Sequence, residues 1–138
     1  MYFNSANGER IKDVMELRDV EWASFTMPVG WPVQGLWSLT KEGVTVDALD
    51  RSPAGTLLAA GSATGELLVT SAPCLDYSKR RTIRALGHSG AVANVRIAQR
   101  ASATRKEIEN GELGELSVVS VGGTDRSLLL WKLTPKYA

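Results

Sequence analysis

Gly122-Gly123-Thr124-Asp125-Arg126-Ser127-Leu128-Leu129-Leu130-Trp131 decides how this chain folds, and Gly87-His88 upstream completes its meaning. The stretch reads as a tight turn between two strands, with Asp125 in the turn and Trp131 six residues later near the end of the second strand. A turn carboxylate can accept from an imidazole and fix its tautomer, and an indole N–H needs an acceptor once it is buried. His88, Asp125 and Trp131 are therefore expected to form a buried polar network that holds sheet strands together. A serine on the preceding strand would extend the network. The expected place for it is position 121, which is Val121, while Ser120 stands one residue away and should point to the other face of the strand. The sequence thus predicts a three-membered network.

A Gly-His opening, a turn Asp and a closing Trp are the punctuation of a WD-repeat β-propeller blade. A second, weaker copy lies upstream: with Thr64 laid on Asp125, Gly61 to Thr70 follows Gly122 to Trp131, and Thr64 and Thr70 replace the Asp and the Trp. The predicted fold is all-β: antiparallel four-stranded WD-type blades in an incomplete, open propeller arc. A blade takes ~40 to 45 residues and a ring about four to eight blades, so 138 residues supply about three.

The strand pattern divides the chain. Residues 1–43 read as the end of one blade, with Met1-Tyr2-Phe3 and Glu9 to Met15 joined by an Asn7-Gly8 turn. A Trp- and Pro-rich outer strand, Trp22 to Thr26, and an extended wrap follow. Residues 44–86 read as a complete blade, with strands Val44–Leu49, Leu57–Gly61, Glu66–Ser71 and Thr82–Leu86. Residues 87–138 read as a final blade without its fourth strand: Ala91–Ile97, Leu116–Val121 and Leu128–Leu133, with a polar insertion over 99–115.

Composition bounds the function. Apolar residues make up 43% and charged residues 22%, ordinary for a globular domain, and the net charge of +1 argues against nucleic-acid or anionic-membrane binding driven by bulk charge. One cysteine, Cys74, leaves no internal disulfide and suits a reducing, cytoplasmic setting. No apolar run approaches the ~20 residues of a membrane span. A single histidine rules out a multi-histidine metal site, and no cofactor motif is present. His88-Ser89-Gly90 imitates part of a nucleophile elbow, but the residues from Ala91 on read as a strand where the elbow needs a helix. The chain is expected to be non-enzymatic. Candidate partner-binding residues are the basic group Lys79, Arg80, Arg81 and Arg84, suited to an acidic partner, and the aromatic Trp31 and Trp37, for which core packing is the simpler role.

Trp22-Ala23-Ser24-Phe25-Thr26, Gly30-Trp31-Pro32-Val33, Gly35-Leu36-Trp37, Pro73-Cys74-Leu75, Gly87-His88-Ser89, Val95-Arg96 and Gly122-Gly123-Thr124-Asp125, in that order, carry a closer likeness. The chain resembles the C-terminal end of the echinoderm microtubule-associated protein-like family over nearly its whole length apart from the insertion. That resemblance implies a tandem propeller, a non-enzymatic cytoskeletal role, and tubulin, microtubules or other proteins as partners, beside the remaining blades of a longer chain. The alternative is a WD-type interaction scaffold in an unrelated assembly such as a ciliary complex.

Overall fold

A computed structural model describes residues 1–75, 82–99 and 116–133. Alternating apolar residues and turn glycines produce nine strands among them: β1 Tyr2–Phe3, β2 Arg10–Ile11, β3 Val46–Arg51, β4 Leu57–Ser62, β5 Glu66–Ser71, β6 Ile83–Leu86, β7 Val92–Gln99, β8 Leu116–Gly122 and β9 Leu128–Leu133. They form an antiparallel pair β1-β2, a sheet ordered β3-β4-β5-β6 and a sheet ordered β7-β8-β9. All pairings are antiparallel and no sheet closes on itself, as expected of an incomplete all-β propeller. The insertion over 99–115 falls almost wholly outside the described residues.

The N-terminal part departs from expectation. Trp22 to Thr26 forms no strand, and the wrap contains a 3-10 helix, Trp31–Leu39. Pro32 stands in its first turn, where a missing N–H costs nothing and a fixed φ is preorganised, so proline starts this helix. Side chains three apart eclipse in a 3-10 helix, and Val33, Leu36 and Leu39 are accordingly the buried stripe. The strand expected over Glu9 to Met15 shortens to Arg10–Ile11. Asp13 Oδ1 then accepts from Met15 N–H at 2.9 Å and caps a short 3-10 helix, Val14–Leu17.

Two apolar layers result. Val33, Leu36, Leu39 and Cys74 pack on Val46, Leu49, Leu58, Ala60 and Leu68, covering the inner face of the first sheet. Its outer face, with Ala48, Ala59, Leu67 and Val69, packs on Val92, Val95, Ile97, Leu116 and Val118 of the second sheet. Burying an aliphatic side chain contributes roughly 1.5–3 kcal/mol, so the nine fully apolar positions of each layer make stacking the main source of stability.

The sheets repeat one another in detail. Each carries a β-bulge at the start of its first strand, between Val46 and Ala48 in one and between Val92 and Asn94 in the other. Matching the registers equates Ser62 with Gly122, Gly61 with Val121, Ala60 with Ser120, Leu58 with Val118 and Thr70 with Trp131. The sequence alignment of Gly61 on Gly122 is therefore one residue out on this strand. The cause is the connecting turn: Gly61 pairs with Leu67, whereas Val121 pairs with Leu128, so the second turn is one residue longer.

Candidate functional site

The shift by one residue brings Ser120 into the polar chain. Along β8, Leu116, Val118, Ser120 and Gly122 are buried and Val121 is exposed, so Ser120 faces inward with the core. Its Oγ lies 2.7 Å from His88 Nε2 and 2.8 Å from Trp131 Nε1. The network is thus larger than the three members predicted. It also includes Ser127, whose Oγ lies 2.9 Å from His88 Nδ1 beside the 3.1 Å approach of Asp125 Oδ2.

One proton arrangement satisfies every group. An indole N–H only donates and a carboxylate only accepts. Trp131 Nε1–H therefore donates to Ser120, Ser120 O–H donates to His88 Nε2, and His88 Nδ1–H donates toward Asp125. The carboxylate also accepts the backbone N–H of Ser89 at Oδ2 and of Ser127 at Oδ1, each at 3.1 Å. The Ser127 N–H, partly opposed by burial, together with the Ser89 N–H, the Ser127 hydroxyl and His88, lowers the Asp125 carboxyl from 3.8 to about 2. Among the described residues no buried side-chain polar atom lacks a partner.

Two glycines make room for this chain. A Cβ on Gly87 would stand 2.5 Å from Trp131 Cη2, and one on Gly122 would collide with the Asp125 carboxylate. The first sheet manages without the network. Ala60 replaces Ser120, and the hydroxyl of Ser62 ties the turn by accepting from Glu66 N–H at 3.1 Å and Thr64 N–H at 3.3 Å.

Ser120, His88 and Asp125 have the distances of a catalytic triad, yet Ser120 is wholly buried and its oxygen is already engaged by Trp131. A nucleophile must reach its substrate; this hydroxyl bridges two strands and a loop. Ser89, the serine of the elbow-like sequence, is exposed and precedes strand β7, with no helix after it. No group of three or more potential metal ligands occurs among the described residues, and no helix there is long and apolar enough to cross a membrane.

Of the candidate partner-binding residues, Arg84, Trp31 and Trp37 are described. Lys79, Arg80 and Arg81 lie outside the described residues. Arg84 is exposed on β6, and its guanidinium donates to the Leu39 carbonyl, tying the 3-10 helix to the sheet. Trp31 is half-buried and donates from Nε1 to Val14 O at 3.1 Å. It lines a cavity of about 490 Å³ with Tyr2, Trp22, Phe25 and Pro32. Trp37, off the buried stripe of its helix, is 40% exposed. Among the described candidates, Trp31 and Trp37 lie on the 3-10 helix that Arg84 bonds at Leu39.

No family model matches the chain. Curated relatives do. The 77 kDa echinoderm microtubule-associated protein of Strongylocentrotus purpuratus is 32% identical over 133 residues, which is 96% of this chain and 17% of that protein. Human echinoderm microtubule-associated protein-like 1 is 28% identical over 96% of the chain and 14% of its own length. Human echinoderm microtubule-associated protein-like 4 is 26% identical over 99% and 12%. The chain therefore belongs to the echinoderm microtubule-associated protein family, and it spans less than a fifth of the length of these curated relatives.

Proposed function

We propose that this chain is the last part of a WD-type propeller: the end of one blade in 1–43, a complete blade in 44–86 and a final blade in 87–138. In this reading it serves as a non-enzymatic, cytoskeletal interaction surface that binds tubulin or other microtubule proteins. The likeness to microtubule-associated relatives over 96% of the chain carries the reading. Two sheets with the same bulge and matching registers support its repeat architecture, and the burial of Ser120 speaks against catalysis. The His88 network is a structural device, so binding falls to exposed positions, with the 79–81 basic run, Arg84, Trp31 and Trp37 as candidates.

Co-sedimentation with stabilised microtubules and gel filtration with soluble tubulin test the reading. Association with either, weakened by charge reversal at 79–81, is the expected result. A folded protein that neither pellets with microtubules nor co-elutes with tubulin would remove tubulin from its partners.

A further inference from the structure

The repeat of one sheet by the other singles out a surface. On the first sheet the outer face consists of Ala48, Ala59, Gly61, Leu67 and Val69, with Asp50 beside them, and it is covered by the second sheet. Gly61 is approached so closely by Val92 that a Cβ would collide with it. Asp50 Oδ2 accepts the Ile97 N–H, an outward-facing group of edge strand β7, at 2.8 Å. The registers place Asn94, Val119, Val121, Leu128, Leu130 and Arg96 at the equivalent positions of the second sheet, so one polar residue, Asn94, replaces Ala48. There Val121, Leu128 and Leu130 are 37%, 66% and 71% exposed. The same face that the fold buries once is presented a second time.

We infer that the outer face of the second sheet receives a further antiparallel sheet of the same kind, presenting a small residue opposite Val121 and a carboxylate opposite Arg96. A second copy of this chain has no free inner face to place there. The inner face of its first sheet is taken by Val33, Leu36 and Leu39, and that of its second sheet by the first. The side chains set the rest of the partner's chemistry. Val121 fills the space that Gly61 leaves for Val92, so the incoming sheet needs Gly or Ala where this chain has Val92. Arg96 stands where Asp50 accepts a backbone N–H, and a guanidinium only donates. Its Nη1 is held on the neighbouring Val95 carbonyl at 2.8 Å, and a facing carboxylate matches its remaining donors in a bidentate pair. The inference rests on the propeller reading above and adds the composition of the neighbouring sheet.

The test seats this chain in place of the 133 residues it matches in the sea-urchin 77 kDa protein and introduces Leu130→Cys. Thiol labelling is read peptide by peptide, with the buried Cys74 as the reporter of folding. Labelling at position 130 should be about tenfold slower in the seated chain than in the free chain, because exchange would require opening of the contact. Arg96→Glu should restore much of the free-chain rate. Equal rates at position 130 with Cys74 protected overturn the inference. Should the seated chain fail to protect Cys74, the interface between the two sheets of the free chain decides the matter instead. Gly61→Val, which copies the second sheet's outer face, should lower the melting temperature, and Val92→Ala should recover part of the loss; a Gly61→Val/Val92→Ala pair whose effects simply add overturns the size rule. Neither arm reads microtubule binding, so a failed co-sedimentation leaves both results interpretable.

Discussion

Ser120→Ala isolates the polar chain at its central atom. The substitution removes the acceptor of Trp131 Nε1–H and the donor to His88 Nε2, contacts of 2.8 and 2.7 Å. It creates no steric problem, since the equivalent position of the first sheet is Ala60, buried in a well-packed layer. A buried polar group left without a partner costs about 1–3 kcal/mol. The side chain of His88 is fully buried and so incurs the larger share, whereas Trp131 is only partly buried and can recover some hydration. The expected loss is about 2–4 kcal/mol, an appreciable part of the roughly 5–15 kcal/mol typical of a domain. Urea unfolding followed by tryptophan fluorescence measures it through the midpoint at unchanged slope. A His88→Ala and Ser120→Ala cycle should show coupling of about 1 kcal/mol or more, because the residues share one network. A Ser120→Ala variant within about 0.5 kcal/mol of the parent, with effects additive to His88→Ala, would refute the reasoning.

Three further outcomes are expected. Gly87→Ala should destabilise by about 1–3 kcal/mol, the usual range for overpacking, because the new methyl meets the Trp131 ring; Ser89→Ala should be close to neutral in the same melt, since Ser89 contributes its backbone N–H to Asp125 rather than its side chain. Asp125, at about 2 when folded against 3.8, leaves the folded state binding fewer protons between those values. Its stabilisation is thus complete above about pH 3.8 and lost as pH falls toward 2, and Asp125→Asn should flatten that part of the stability profile; an unchanged profile would show that the carboxylate is not held as described. Charge reversal of Lys79, Arg80 and Arg81 should slow association with soluble tubulin, with a salt dependence that follows screening over the ~10 Å Debye length at 0.1 M; stopped-flow rates insensitive to both changes would clear this run from the interface.

The amino-acid sequence announced most of the sheet architecture. The strands Glu66–Ser71 and Leu128–Leu133 were legible to the residue because Gly, Asp and Ser turn signals bracket clean apolar runs. His88, Asp125 and Trp131 were legible because few residue types can close a buried proton chain. Ser120 was not, because side-chain facing has period two and a turn longer by one residue inverts it. The 3-10 helix at Trp31–Leu39 was hidden by Pro28 and Pro32, which suggest a break, while its Val33, Leu36, Leu39 stripe has the period of three that belongs to neither an α-helix nor a strand. The interaction residues stayed open for a different reason: exposed side chains answer to a partner, which the folding pattern of this chain does not encode.

The central claim is that His88, Ser120, Asp125 and Trp131 form one buried chain of hydrogen bonds running in a single direction. Nitrogen-15 NMR of the labelled histidine and tryptophan side chains tests it most directly. The account predicts a His88 ring protonated at Nδ1 and bare at Nε2, with both the His88 Nδ1–H and the Trp131 Nε1–H slow to exchange with solvent. A ring protonated at Nε2, or a Trp131 Nε1–H that exchanges as fast as an exposed indole, would contradict it.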